Sequence, residues 1–403
     1  MKLFTFSRLA FCVLCGALLF PSFASAGWVT QTSGTTNPLW SVHFPVDTQT
    51  GYAVGYVGTI LKTTDGGAAW VSQTSGTANY LTSVHFPVDA QTGYAAGMGG
   101  TILKTTDGGA VWDSLNSGTT VWLYAVHFPL DTLTGYAVGG WGTILKATDG
   151  GANWVPQASG TTNSLHSVHF PLSAATGYVV GSFGTILKTT NGGTTWDSLT
   201  TGITNFLMSV HFPVDASTGY AVGDSGTILK TTNGGANWVV QSSGTTYYLL
   251  SVHFPVDPST GYAVGMGGTV LKTTDGGANW LSQTSGISIG LMSVHFPLDA
   301  TTGYAVGSNG TILKTTDGGV GVEETTGVRG QRLEVRITAT PNPFTSFATL
   351  PGHESERFSL YDISGRKVGT YRGDRVGEGL GPGVYFLRQE GKDSEPLRIV
   401  KIR

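Results

Sequence analysis

The string Val-His-Phe-Pro returns with its histidine at His43, His85, His127, His169, His211, His253 and His295, an unbroken interval of 42 residues. Self-similarity at that period restricts the chain to an array of supersecondary units, a propeller or a solenoid. Within residues 70 to 112, Trp70 to Thr74, Leu81 to Phe86, Tyr94 to Ala96 and Thr101 to Thr105 read as short strands separated by Gly and Asp clusters. No stretch carries the 3.6-residue period of an amphipathic helix. Four antiparallel strands per unit is the content of one propeller blade.

The ends decide between a ring and an open stack. The seventh unit runs through Thr315-Thr316-Asp317-Gly318-Gly319 and then lacks its Trp strand, while an orphan Gly27-Trp28-Val29-Thr30-Gln31-Thr32 opens the repeat region. The first strand is expected to complete the last blade, removing the open sheet edges that invite aggregation. The expected fold is therefore all-β: a seven-bladed β-propeller over residues 27–320, with the Val-His-Phe segment as each inner strand, followed by a small β-sandwich.

Charge divides the chain into three materials. Residues 27–320 hold 7 Lys and 14 Asp with no Arg and no Glu, whereas residues 321–403 carry 13 basic and 11 acidic groups. That places a boundary near 320 and gives no basic footprint for nucleic acid. At the start, Lys2 and Arg8 precede the apolar run Leu9 to Phe20 and the tripeptide Ala24-Ser25-Ala26. This is the pattern of a secretory signal peptide over residues 1–26, too short for a bilayer span, so no transmembrane segment is expected in the mature chain. Cys12 and Cys15 both lie inside it. A mature chain without thiols has no disulfide, thiolate chemistry or cysteine metal site.

Each unit carries Thr-x-Asp-Gly-Gly-x-x-Trp, as in Thr63 to Trp70, Thr105 to Trp112 and Thr273 to Trp280, and this resembles the Asp-box or BNR repeat of sialidase-type propellers. The carboxylate is expected to accept turn N–H groups, the glycines to supply positive φ, and the Trp to cover the sheet edge. Asn191 and Asn233 replace the Asp in two units. They keep the acceptor and lose the charge, which suits a turn and not a catalytic or metal ring. The preceding Gly-Tyr-Ala-Val-Gly-x-x-Gly-Thr-Ile-Leu-Lys, at Gly51 to Lys62 and Gly219 to Lys230, is similar to the photosystem II assembly and stability factor propellers. That resemblance implies an assembly protein docking its client partly through an arginine patch, and residues 27–320 contain no arginine to carry it. The seven histidines read as satisfied strand residues, because imidazoles from seven blades cannot all converge at the ~2.1 Å of metal ligation.

Differences among the units collect in the loop from outer to next inner strand and in the loop between second and third strands. Both should emerge on one face, with the Asp-box and Pro-Val-Asp turns on the other. The variable face holds the candidate ligand-binding residues Trp40, Tyr56, Tyr80, Trp122, Tyr124, Trp141, Phe183, Phe206, Asp224 and Tyr247, with Tyr248 beside them. Exposed aromatic clusters mark interaction surfaces, their flat faces stacking on sugar rings or peptide side chains. Asn79, Asn163, Asn205, His166 and Asn309 are the candidate hydrogen-bonding groups, and Trp122, Tyr124 and Trp141 the densest group. The competing reading packs Trp40 and Tyr124 between blades.

Catalysis fits poorly. A sialidase would need an arginine triad and a Tyr/Glu pair, and a two-carboxylate glycosidase needs paired acids, whereas Asp224 is the one acid expected on this face. No phosphate loop, His-Glu zinc motif or Ser-His-Asp set stands out. No catalytic residue, metal ligand or cofactor is expected, with glycoside hydrolysis around Asp224 as the alternative.

After a linker at 321–338, the landmarks Pro341-Asn342-Pro343-Phe344, Phe358 to Val368, Gly383 to Leu387 and Arg398 to Ile402 resemble the type IX secretion sorting domain of Bacteroidota over residues 339–403, with a shortened segment at Ala348 to Glu356. The resemblance implies export by type IX secretion machinery to the medium or the outer surface of a Gram-negative cell, after periplasmic transit. The sequence thus predicts an exported, monomeric binding or adhesion propeller recognising an extracellular glycan or protein, with an assembly-factor role as another reading.

Overall fold

The computed structural model describes residues 27–171 and 173–319, and, in the second part of the chain, 350, 356–362, 366–381, 383–389 and 397–401. The expected signal segment, the expected linker and the Pro341 to Phe344 landmark lie outside the described residues. The chain divides into two compact units, Met1–Glu323 and Glu324–Arg403.

The described residues of the first unit form seven four-stranded antiparallel sheets. In the first complete repeat the strands are Leu39–His43, Gly51–Gly55, Ile60–Thr63 and Val71–Gln73, hydrogen-bonded in that order. Val29–Gln31 pairs antiparallel with Ile312–Thr315 and supplies the fourth strand of the seventh sheet. Each inner strand touches the next, and the first also touches the last. Among the described residues no helix is long and apolar enough to cross a membrane.

The core is built between sheets. Leu39, Val42, Phe44, Ala53, Leu61 and Trp70 of the first sheet bury against Tyr304, Val306 and Ile312 of the seventh, and the pattern recurs at each junction. Phe44 is stacked on Tyr304 with centroids 3.8 Å apart and takes the edge of Trp70 at 6.0 Å. The Trp is therefore a core residue at 8% exposure, not a cover for the sheet edge as the sequence suggested. Gly51 opens the second strand because a Cβ there would sit 2.4 Å from the Phe44 ring. Tyr52 reaches across to the next Asp-box turn, its hydroxyl 2.9 Å from the carbonyl of Gly108, which Lys62 Nζ also meets at 2.7 Å.

Inner strands are sheet edges, and their outward N–H groups need acceptors. Ser41 Oγ accepts from Val84 and His43 Nδ1 from Phe86 of the following sheet, at 3.2 and 3.3 Å. Six of seven junctions carry both bonds, at 3.2–3.4 Å. The exception is the junction of the third and fourth complete repeats. There Ala125 stands at the serine position, and His127 presents Nε2 to the Phe170 carbonyl at 3.4 Å.

The Asp-box turns bond as the motif implied. Asp65 Oδ1 accepts from Ala69 N–H and Thr63 Oγ1, and Thr63 Oγ1 in turn accepts from Gly67 N–H. Asn191 and Asn233 make the same main-chain bonds. Ala147 breaks the threonine pattern in the third repeat.

In the second unit the described residues form one four-stranded antiparallel sheet, with Lys367–Arg372, Arg357–Asp362, Gly383–Gln389 and Leu397–Lys401 adjacent in that order. Phe358, Leu360, Leu387, Leu350 and Val376 form its core. The second layer of the expected sandwich is not among the described residues.

Candidate functional site

The two variable loops of each repeat do share one face. Tyr56 N–H bonds the Pro38 carbonyl and Asn37 Nδ2 meets Thr59 Oγ1, tying the loop before the inner strand to the loop between second and third strands. Asn79 and Asn163 make the same amide bond, to Thr101 and Thr185, and the Asn205 carbonyl takes Gly184 N–H. These asparagines hold the loops together, with one amide N–H of Asn79 and of Asn163 spent on a threonine.

Three aromatics form a continuous stack: Trp40 on Tyr56 at 6.0 Å, and Tyr56 on Tyr80 at 4.0 Å with planes 5° apart. Phe183 meets Phe206 edge to face at 5.0 Å. Tyr124 packs on His166, whose Nε2 lies 3.1 Å from Ser182 Oγ and whose pKa burial lowers to about 4. The expected Trp122, Tyr124, Trp141 group is not joined by ring contacts; Trp122 and Trp141 stand out separately, at 44% and 76% exposure. Tyr247 and Tyr248 are also exposed, Tyr247 lying over Gly267. Asp224 is half-buried, and its Oδ1 is enclosed without a hydrogen-bond partner.

Backbone conformation singles out one position per loop. Val57, Trp141, Phe183, Ser225 and Asn309 hold φ between 53° and 56°, the left-handed region, while the same position is Gly99 and Gly267 in the other two sheets with a complete loop. For a β-branched or bulky residue that conformation costs on the order of 1 kcal/mol. Gly99 and Gly267 show that the fold accepts the unstrained residue. Trp141, Phe183 and Val57 nevertheless carry both the strain and the exposure of an apolar side chain.

A second position was missed by sequence reasoning. Every inner strand has a β-bulge after its first residue, because pairing skips from Leu39 to Ser41 and likewise in all seven sheets. A bulge re-aims the extra side chain. The bulged residues are Trp40, Thr82, Tyr124, His166, Met208, Leu250 and Met292, ringing the axis on the variable face. The signal was available: this position takes six different residues between a constant Leu and a Ser-Val-His that changes only at Ala125. Met266 belongs with them, since a Cβ at Gly290 would lie 2.8 Å from its Sδ and 3.4 Å from Met292 Cε. Apart from Met1, every methionine of the chain, Met98, Met208, Met266 and Met292, stands on this face. Flexible, polarizable thioethers among aromatics make a surface that adapts to apolar side chains.

Among the described residues no three His, Asp or Glu groups come together to hold a metal ion.

The profile of a family described as photosynthesis system II assembly factor YCF48 matches residues 20–120, 111–203 and 197–285. No curated protein matches the sequence significantly. Similar solved structures include YCF48 bound to D1 peptide, at 20% identity and TM-score 0.61, covering 72% of this chain and 95% of that one. YCF48 from Cyanidioschyzon merolae aligns at 20% identity and TM-score 0.60 over 72% and 99%. The WD40 β-propeller domain of Doa1 aligns at 14% identity and TM-score 0.60 over 72% and 98%. At these identities the likeness is one of fold, a β-propeller.

Proposed function

Because the chain belongs to the family of photosynthesis system II assembly factor YCF48, we propose that it is a non-catalytic protein-binding propeller whose variable face takes an apolar segment of a partner polypeptide. The observation that carries the reading is the pairing of strain with exposure at Trp141, Phe183 and Val57. Folding alone gains from glycine there, so the side chains are held for something outside the fold. We take the seven sheets as seven blades of one closed ring, a reading supported by the pairing of Val29–Gln31 with Ile312–Thr315.

Polypeptide is favoured over glycan by the chemistry of the bulge ring. Sugar recognition needs fixed polar groups for hydroxyls, and this ring offers Met, Leu, Trp and Tyr with one Thr and one His. A neighbouring structure carries a D1 peptide, which is a precedent for polypeptide binding in the family fold. A photosystem client would meet no arginine on residues 27–320. Export is part of the proposal and rests on the signal-like residues 1–26 and the sorting-like landmarks after 339.

The test is selection of the full chain against a random peptide library and a polysaccharide array in parallel. Enrichment of apolar and aromatic peptides whose binding is lost in Trp40→Ala supports the reading. Glycan retention with no peptide enrichment overturns it.

A further inference from the structure

The seven histidines form a closed belt round the axis, neighbouring ring centroids lying 4.7–5.2 Å apart. In six of them Nδ1 accepts the N–H of a phenylalanine in the next sheet. A ring nitrogen that accepts does not carry the proton, so each of these neutral imidazoles bears its hydrogen on Nε2. Burial holds the belt neutral, lowering His43 and His253 to about 3 and the others well below the ordinary value.

Among the described residues nothing accepts from those Nε2–H groups, and none of the nitrogens is among the enclosed polar atoms. Each of these histidines is half-buried, so the Nε2–H donors remain accessible. The donors belong to His43, His85, His169, His211, His253 and His295, while His127 turns its Nε2 to the Phe170 carbonyl.

We infer that this belt is a binding site for one small tetrahedral oxyanion of the sulfate or phosphate class, held on the axis by imidazole Nε2–H donors. A heptagon with these sides has its corners about 5.6 Å from the centre, and an oxyanion reaches a donor nitrogen at about 4.4 Å from its central atom. The difference is about one imidazole ring radius, so donors tilted inward bond directly and the rest bond through a single water. The ring is nearly isotropic, which favours a compact tetrahedral ion over a planar carboxylate.

A metal ion is disfavoured by the same tautomer. Ligation through Nε2 would move the proton to Nδ1, directly against the phenylalanine N–H. The site is separate from the aromatic face, since the histidines stand three positions further along each inner strand than the bulged residues.

The test is long-range proton–nitrogen NMR of the full chain labelled with 15N-histidine, titrated at about pH 7.5 with sulfate, phosphate, acetate and chloride at matched ionic strength, and separately with zinc. The expected result is six Nε2–H tautomers whose resonances shift together and saturate with sulfate and phosphate, while His166 stays fixed. Drift without saturation, equal response to chloride or acetate, or loss of Nε2 protons to zinc overturns the proposal. His211→Asn keeps an acceptor oxygen at the Nδ1 place and removes the Nε2–H donor, the shorter amide NH2 not reaching that position. It should weaken sulfate binding about threefold to tenfold, and unchanged affinity overturns the role of that donor ring.

Discussion

Acidification is the sharpest perturbation of this fold, because its inner edges are capped by imidazole nitrogens that must stay unprotonated. Burial depresses His43 and His253 to about 3 and His127 to about 4, against 6.5 for a free imidazole. The unfolded chain therefore binds protons below pH 6.5 that the folded chain refuses. Stability is full above the unfolded value and is lost as pH falls from 6.5 toward the folded values. At pH 5.5 each depressed histidine costs on the order of 1 kcal/mol, and the seven of the belt with His166 together on the order of 10 kcal/mol. That is comparable to the whole stability of an ordinary domain, about 5–15 kcal/mol.

The Asp-box carboxylates do not share this window. Asp65, Asp107, Asp149 and Asp275 are held below the ordinary carboxylate value, first by main-chain N–H groups, and their contribution is lost only at lower pH. Urea denaturation of the full chain at steps between pH 8 and 5 should show stability falling by about 10 kcal/mol per pH unit near pH 5.5, the signature of about seven protons taken up on unfolding by the belt and His166 together. His85→Asn should remove one proton from that uptake. Uptake of fewer than about three protons, or stability that is flat to pH 5, would refute the reasoning.

Other outcomes follow from single positions. Ala125→Ser supplies the acceptor that Val168 N–H lacks, and should raise stability by about 1 kcal/mol in a thermal scan; a fall would show that the junction is closed in another way. Gly93→Ala places a Cβ 2.3 Å from the Phe86 ring and should cost about 1–3 kcal/mol by denaturant titration. Asp107→Asn should leave the melting temperature nearly unchanged, since Asn191 and Asn233 already fill that role, whereas Asp107→Ala should lower it.

Much of the architecture was legible because it repeats. The 42-residue interval and the Asp-box are local signals that recur along the chain, and the single orphan Trp28 strand marks where the repeats begin. The Asx turns at Asp65 and Asn191 needed only the rule that either side chain accepts main-chain hydrogen bonds. The Trp positions were misread because Thr-x-Asp-Gly-Gly-x-x-Trp says where the outer strand begins and nothing about the Phe44 ring beneath it. The candidate face was found through its loops, but the bulge ring was missed, since a bulge follows from ladder register and not from any turn residue. Likewise the strained φ at Trp141 is a three-dimensional fact, visible in sequence only as a position where two repeats have Gly.

The central claim is that strained, exposed aromatics on the variable face are kept for a partner. The direct measurement is the melting temperature and the affinity for a library-selected peptide, taken together on the full chain carrying Trp141→Gly and Phe183→Gly. The account predicts opposite movements: stability gained by about 1–2 kcal/mol as left-handed strain is relieved, and peptide affinity reduced at least tenfold. Stability that falls, or affinity that holds, would contradict it.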